Sequence, residues 1–115
     1  MPRSPRHTAP AEHVTHGQWP DVTLAPGAPL TAHYGVALAR RLAAAMKDRS
    51  LSDRAVARLT GMSHNTVGRI ARGEVLPDLG TVARLEVALQ TSLWPSDLWR
   101  SFPPGEAKDS SPSQP

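Results

Sequence analysis

From residue 31 to residue 90 the apolar side chains recur at helical intervals, and short polar breaks divide them into separate helices. Tyr34, Leu38, Leu42, Ala45 and Met46 form one stripe, with Arg40, Arg41, Lys47 and Arg49 mostly off it, so a first helix is predicted to start with Thr31 as its cap. Ser50-Leu51-Ser52 breaks the pattern, and Ser52 can cap a second helix, DRAVARLT. Its inward face is Val56, Ala57 and either Leu59 or Thr60, while Arg54 and Arg58 point outward one turn apart. Gly61 supplies a left-handed residue to end it, and Ser63 caps a third helix. There Val67, Ile70 and Ala71 share an arc of about 100°, whereas Asn65, Gly68, Arg69 and Arg72 fall on the opposite arc with His64 at its edge. Gly73 closes this helix, and Asp78 caps a fourth, LGTVARLEVALQ, with Val82, Leu85, Ala88 and Leu89 facing inward. The segment WPSDLW reads as a short fifth helix, since Pro is tolerated in a first turn. The pattern is all-α.

Composition sets the boundaries. A chain of 115 residues suits one small domain. Six of the twelve Pro fall in residues 1–30 and four in residues 101–115, which leaves the middle free for long helices. The expected organisation is a flexible N-terminal arm (1–30), a compact domain (31–100) and a disordered C-terminal tail (101–115). Within the arm, Val22 to Leu24 fits a short strand or extended segment, and Trp19 is an anchor that can dock on the core.

Several chemistries drop out. The absence of Cys excludes a disulfide scaffold and a thiolate metal site. His7, His13 and His16 loosely resemble metal ligands, but no helix or turn in the arm fixes a coordination geometry, so neither metal nor cofactor is expected. His64 has no nucleophile or carboxylate partner at a useful spacing, and no phosphate-binding Gly loop or carboxylate pair is present, which argues against an enzyme. No apolar run matches a signal peptide or a membrane span; the expectation is a soluble cytoplasmic protein with no membrane partner.

Charge is distributed unevenly. Residues 40–73 carry eight Arg and Lys against Asp48 and Asp53, while residues 74–100 carry Arg84 and Arg100 against Glu74, Asp78, Glu86 and Asp97. A basic half suggests a polyanion-facing side. Two helices joined by a three-residue, Gly-containing turn, the second polar and basic on its free face, make the helix-turn-helix arrangement. DNA explains those residue types, because the major groove admits a helix and its base edges carry patterned donors and acceptors. Asn pairs with adenine and Arg with guanine through two hydrogen bonds each. No acidic residue lies between Gly61 and Gly73, and Gly68 removes bulk where the helix would come closest to DNA.

The run LSDRAVARLTGMSHNTVGRIARGEVLPDLGTVARLEVALQ resembles the phage-repressor, or Cro-like, helix-turn-helix family, over roughly residues 36–98. The resemblance implies a compact five-helix, lambda-repressor-like DNA-binding domain acting on double-stranded DNA as a small transcriptional repressor. Base contacts would come from His64, Asn65, Thr66 and Arg69, and backbone contacts from Ser52, Arg54, Ser63 and Arg72. Three departures stand out. Asp53 replaces the family's Gln after the second-helix cap and cannot donate to a phosphate. Met46 and Ala71 occupy the places of a family Arg–Glu pair; both charges are missing together, which leaves none orphaned. Ala55 cannot complete a capping box.

The family habit of two-fold dimers on palindromic sites nominates Leu93, Trp94, Leu98 and Trp99 as a dimer contact. The rival reading keeps the scaffold but makes it a protein-interaction module or an antitoxin-like protein, with the Trp94 to Trp99 region binding a protein partner.

Overall fold

The computed structural model describes residues 9–108. A 3₁₀ turn, Pro10–His13, leads into a hairpin of β1 (Val14–Gln18) and β2 (Asp21–Leu24). The helices are α1 (Leu30–Asp48), α2 (Asp53–Thr60), α3 (His64–Ala71) and α4 (Leu79–Leu89).

Three of the predicted caps form. Ser52 Oγ accepts from the Ala55 N–H at 3.1 Å, Ser63 Oγ from Thr66 at 3.1 Å and Asp78 Oδ1 from Thr81 at 2.8 Å. Each satisfies a donor that the first turn of a helix leaves without a partner. Gly61 (φ 76°) and Gly73 (φ 72°) take the left-handed conformation that stops α2 and follows α3. The cap of α1 differs from expectation. Pro29 occupies that position and its carbonyl accepts from Ala32 at 2.9 Å, so Thr31 sits inside the first turn.

Leu38, Leu42 and Ala45 of α1, Val56 of α2, Val67 and Ile70 of α3, and Val82, Leu85 and Leu89 of α4 bury one another, and Leu93 closes the cluster. No polar or charged residue is buried among the described residues. Met46 and Ala71 pack against this cluster, so apolar contact stands where a buried ion pair would have to be desolvated. On α2 it is Thr60 rather than Leu59 that turns inward: its hydroxyl donates to the Val56 carbonyl at 2.9 Å, while Leu59 is exposed.

The all-α, five-helix expectation is corrected in two places. First, the described part of the N-terminal segment contains a two-stranded sheet. Val14 pairs with Leu24, His16 with Thr23 and Gln18 with Asp21, with an irregularity between Val14 and His16. A lone two-stranded hairpin is marginal in water. Here tertiary contacts hold it: Trp19 Nε1 donates to the Ala71 carbonyl at 2.6 Å, and Arg40 donates to the Pro20 and Val22 carbonyls at 2.9 and 3.0 Å. Second, WPSDLW does not make an α-helix. Glu86 accepts from the Leu93 and Trp94 N–H groups at 2.8 and 2.9 Å, and Pro95, Pro103 and Pro104 interrupt any longer ladder. The chain instead forms 3₁₀ turns at Leu98–Ser101 and Pro104–Lys108. Residues 101–108, expected in a disordered tail, are therefore turned back, with the Phe102 ring edge-on to His33 at 5.1 Å. Among the described residues no helix is long and apolar enough to cross a membrane.

Candidate nucleic-acid interface

The turn between α2 and α3 determines what α3 presents. Val56 and Val67 are fully buried and Ile70 nearly so, which clamps the inner faces of both helices together. Asn65, Thr66 and Arg69 are consequently exposed on the outer face, while His64 is half-buried at its start. Asn65 and Arg69 are four residues apart and so stand one above the other. The Thr66 hydroxyl lies 2.9 Å from Ser63 Oγ, so this side chain already has a partner at the cap.

At the N-terminal end of α3 the structure gathers charge that the sequence had only listed. Arg54, Arg58, Gly61, Met62, Ser63 and His64 line a shallow cleft of about 440 Å³. Two guanidinium groups there flank a helix N-terminus, where free N–H groups and the macrodipole favour an anion. Arg58 stands beside Arg54 in this cleft, one turn further along the exposed face of α2.

The C-terminal end of α3 is more constrained. Arg72 Nε donates to Glu74 Oε2 at 2.8 Å across an exposed pair. The hydrogen bond to Glu74 keeps the guanidinium still more firmly protonated, and its counterpart pushes Glu74 below the usual carboxylate range. Arg72 therefore has a competing acid for any phosphate it would hold. Asp53 lies nearby. A Cβ on residue 68 would come within 2.8 Å of Asp53 Oδ2 and 2.9 Å of Arg72 Nη1. Gly68 is thus buried beneath the Asp53 carboxylate and Arg72, which corrects the expectation that it opens the helix face to DNA. The Trp19 ring covers Gly73 in the same way, occupying the space a Cβ would need.

Ser52 is exposed beside Asp53, with its Oγ occupied by the Ala55 N–H. The four residues nominated for dimer contact separate. Leu93 is 0 % exposed inside the core and is removed from that surface, because it fills the space between α4 and its neighbours. Leu98 is half-buried. Trp94 tilts against Tyr34 at 5.2 Å, and Trp99 is 61 % exposed with the Arg100 guanidinium 5.4 Å from its ring. His13 and His16 belong to the hairpin region, with His16 Nδ1 3.0 Å from Thr15 Oγ1, and His7 lies outside the described residues. Among the described residues no group of three or more His, Asp or Glu could hold a metal ion.

A family model described as a helix-turn-helix domain matches residues 37–95, about half of the chain, and the chain belongs to that family. Helix-turn-helix domains form a DNA-binding class. Comparison with curated proteins and with solved structures gave no match.

Proposed function

We propose that the protein binds double-stranded DNA in a sequence-specific manner and acts as a small transcription regulator of the repressor type, with α3 lying in the major groove. One observation carries the reading. Among the described residues, packing leaves free the face of α3 that bears Asn65 and Arg69, and its N-terminal end is flanked by Arg54 and Arg58. In this reading His64, Asn65, Thr66 and Arg69 meet base edges, whereas Ser52, Arg54, Arg58 and Ser63 meet phosphates. Arg72 joins them once it leaves Glu74. Phosphate contacts position the helix and base contacts specify the sequence.

The experiment selects bound duplexes from a random pool, then titrates wild type, Arg69→Ala and Arg54→Ala on a selected site and a scrambled one at two salt concentrations. Losing a bidentate guanine contact at Arg69 costs about 1–3 kcal/mol and relaxes preference at one base pair. Losing Arg54 weakens both duplexes alike and shrinks the salt slope by about one unit. No preference for any selected site over scrambled DNA would remove the regulator reading.

The exposed Trp99 supports a second reading, in which the same scaffold binds a protein partner or pairs with its own copy on two half-sites. Under self-pairing, Trp99→Ala lowers the dimer fraction in sedimentation with the helices intact. A wild type that stays monomeric on DNA removes the two-fold model.

A further inference from the structure

A groove of about 780 Å³ runs between the first turn of α1, the α3–α4 loop and Trp94. Its size falls within the range of small-molecule sites. The walls are Leu30, Tyr34, Val75, Leu76, Pro77 and Trp94, with the two aromatic rings 5.2 Å apart at 39°. Glu74 and Asp78 also line it, the first paired with Arg72 and the second capping α4, and among the described residues no Lys, Arg or His lines the groove.

We propose that this groove binds a small organic cation with an aromatic or aliphatic body, and that the bound cation strengthens DNA binding by drawing Glu74 away from Arg72. The apolar body lies between Tyr34, Leu76 and Trp94, with the ammonium group at the acidic rim and within reach of the aromatic faces. Glu74 is shared between two roles. It lines the groove, and its Oε2 now accepts from Arg72 at 2.8 Å, at the end of α3. That exchange is easy, because an exposed ion pair has little net strength. A cation that takes Glu74 leaves the Arg72 guanidinium free for a phosphate. The second half of the proposal rests on the DNA-binding reading; the first does not.

The test uses the full chain and two probes of similar shape, 2-(naphthyl)ethylammonium and 3-(naphthyl)propanoate. Without DNA, amide resonances of Thr31, Tyr34 and residues 74–78 are followed by NMR at neutral pH. The amine shifts these resonances saturably and quenches Trp94 fluorescence, the carboxylate does neither, and Glu74→Gln weakens the amine several-fold. No shift at millimolar amine, or equal shifts from both probes, overturns the site. With a selected duplex at low salt, the amine tightens wild-type binding by about three- to tenfold, as one added phosphate contact would. Glu74→Gln binds DNA more tightly than wild type without amine and gains nothing from it, and Arg72→Ala also gains nothing. Saturable amine binding with unchanged DNA affinity overturns the link to Arg72. If wild type shows no DNA preference at all, the functional reading fails while the NMR arm still decides the groove.

Discussion

The α2–α3 pair and the N-terminal hairpin meet at the end of α3, yet they are held by different means. The helix pair is specified locally at almost every point. Ser52 and Ser63 cap its two members, Gly61 makes the turn between them, and Val56 and Val67 clamp them. The hairpin has short strands, and only Val22 is buried among their residues. It stays in place because Trp19 donates to the Ala71 carbonyl of α3, and Arg40 of α1 donates to the Pro20 and Val22 carbonyls of the hairpin. The contrast shows that one surface can rest on both local and long-range specification. α3 is shaped from within at its N-terminal end and is covered from outside at its C-terminal end by Trp19 over Gly73.

Core truncation tests the helical side of the comparison most severely. Leu85 is fully buried, and Leu85→Ala is expected to cost about 2–5 kcal/mol in urea unfolding, enough to threaten a small domain. A loss well under that range would mean that the four helices are less mutually dependent than their packing implies.

The hairpin side is probed by Trp19→Ala, which removes a half-buried ring and the hydrogen bond to Ala71. The expected loss is about 1–3 kcal/mol. Deleting residues 1–28 should cost at least as much, and helical circular dichroism should persist in both variants. If neither change moves the urea midpoint, the hairpin is an ornament on the domain and the original boundary at residue 31 stands.

A smaller effect belongs to the caps. Ser63→Ala leaves the Thr66 N–H without its acceptor and should cost about 1 kcal/mol, with fraying confined to the first turn of α3 in hydrogen exchange. Protection lost along the whole helix would show that α3 depends on its cap more than on Val67 and Ile70.

The smallest effect is electrostatic. The N–H groups of Trp94 and Leu93 hold Glu86 below the usual carboxylate range. A depressed carboxylate contributes stability above its unfolded pKa and loses it as pH falls through the folded value. Glu86→Gln should therefore lower stability near neutrality and flatten the acid limb, so that the variant and wild-type curves converge at low pH. An unchanged acid limb would assign that slope to other carboxylates, such as Asp78, which its own cap bond also depresses.

The sequence by itself determined the parts whose causes lie within a few residues of one another. Serine and aspartate caps, left-handed glycines and apolar spacing gave the four helices and their inner faces, and the polar positions of α3 followed from that spacing. Residues 64 to 69 are nearest neighbours on one helix, so their placement needed no distant partner. Only the tertiary structure decided the rest. Trp19, Arg40 and the backbone of α3 are far apart in the chain, so no local pattern separates a docked hairpin from an arm. Gly68 lies on the outer arc by periodicity alone, but Asp53 and Arg72 bury it because α2 crosses there. Leu93 and Trp99 read alike as apolar residues near the C-terminus. The hydrogen bonds of Glu86 turn the chain so that Leu93 enters the core, while Trp99 remains in solvent.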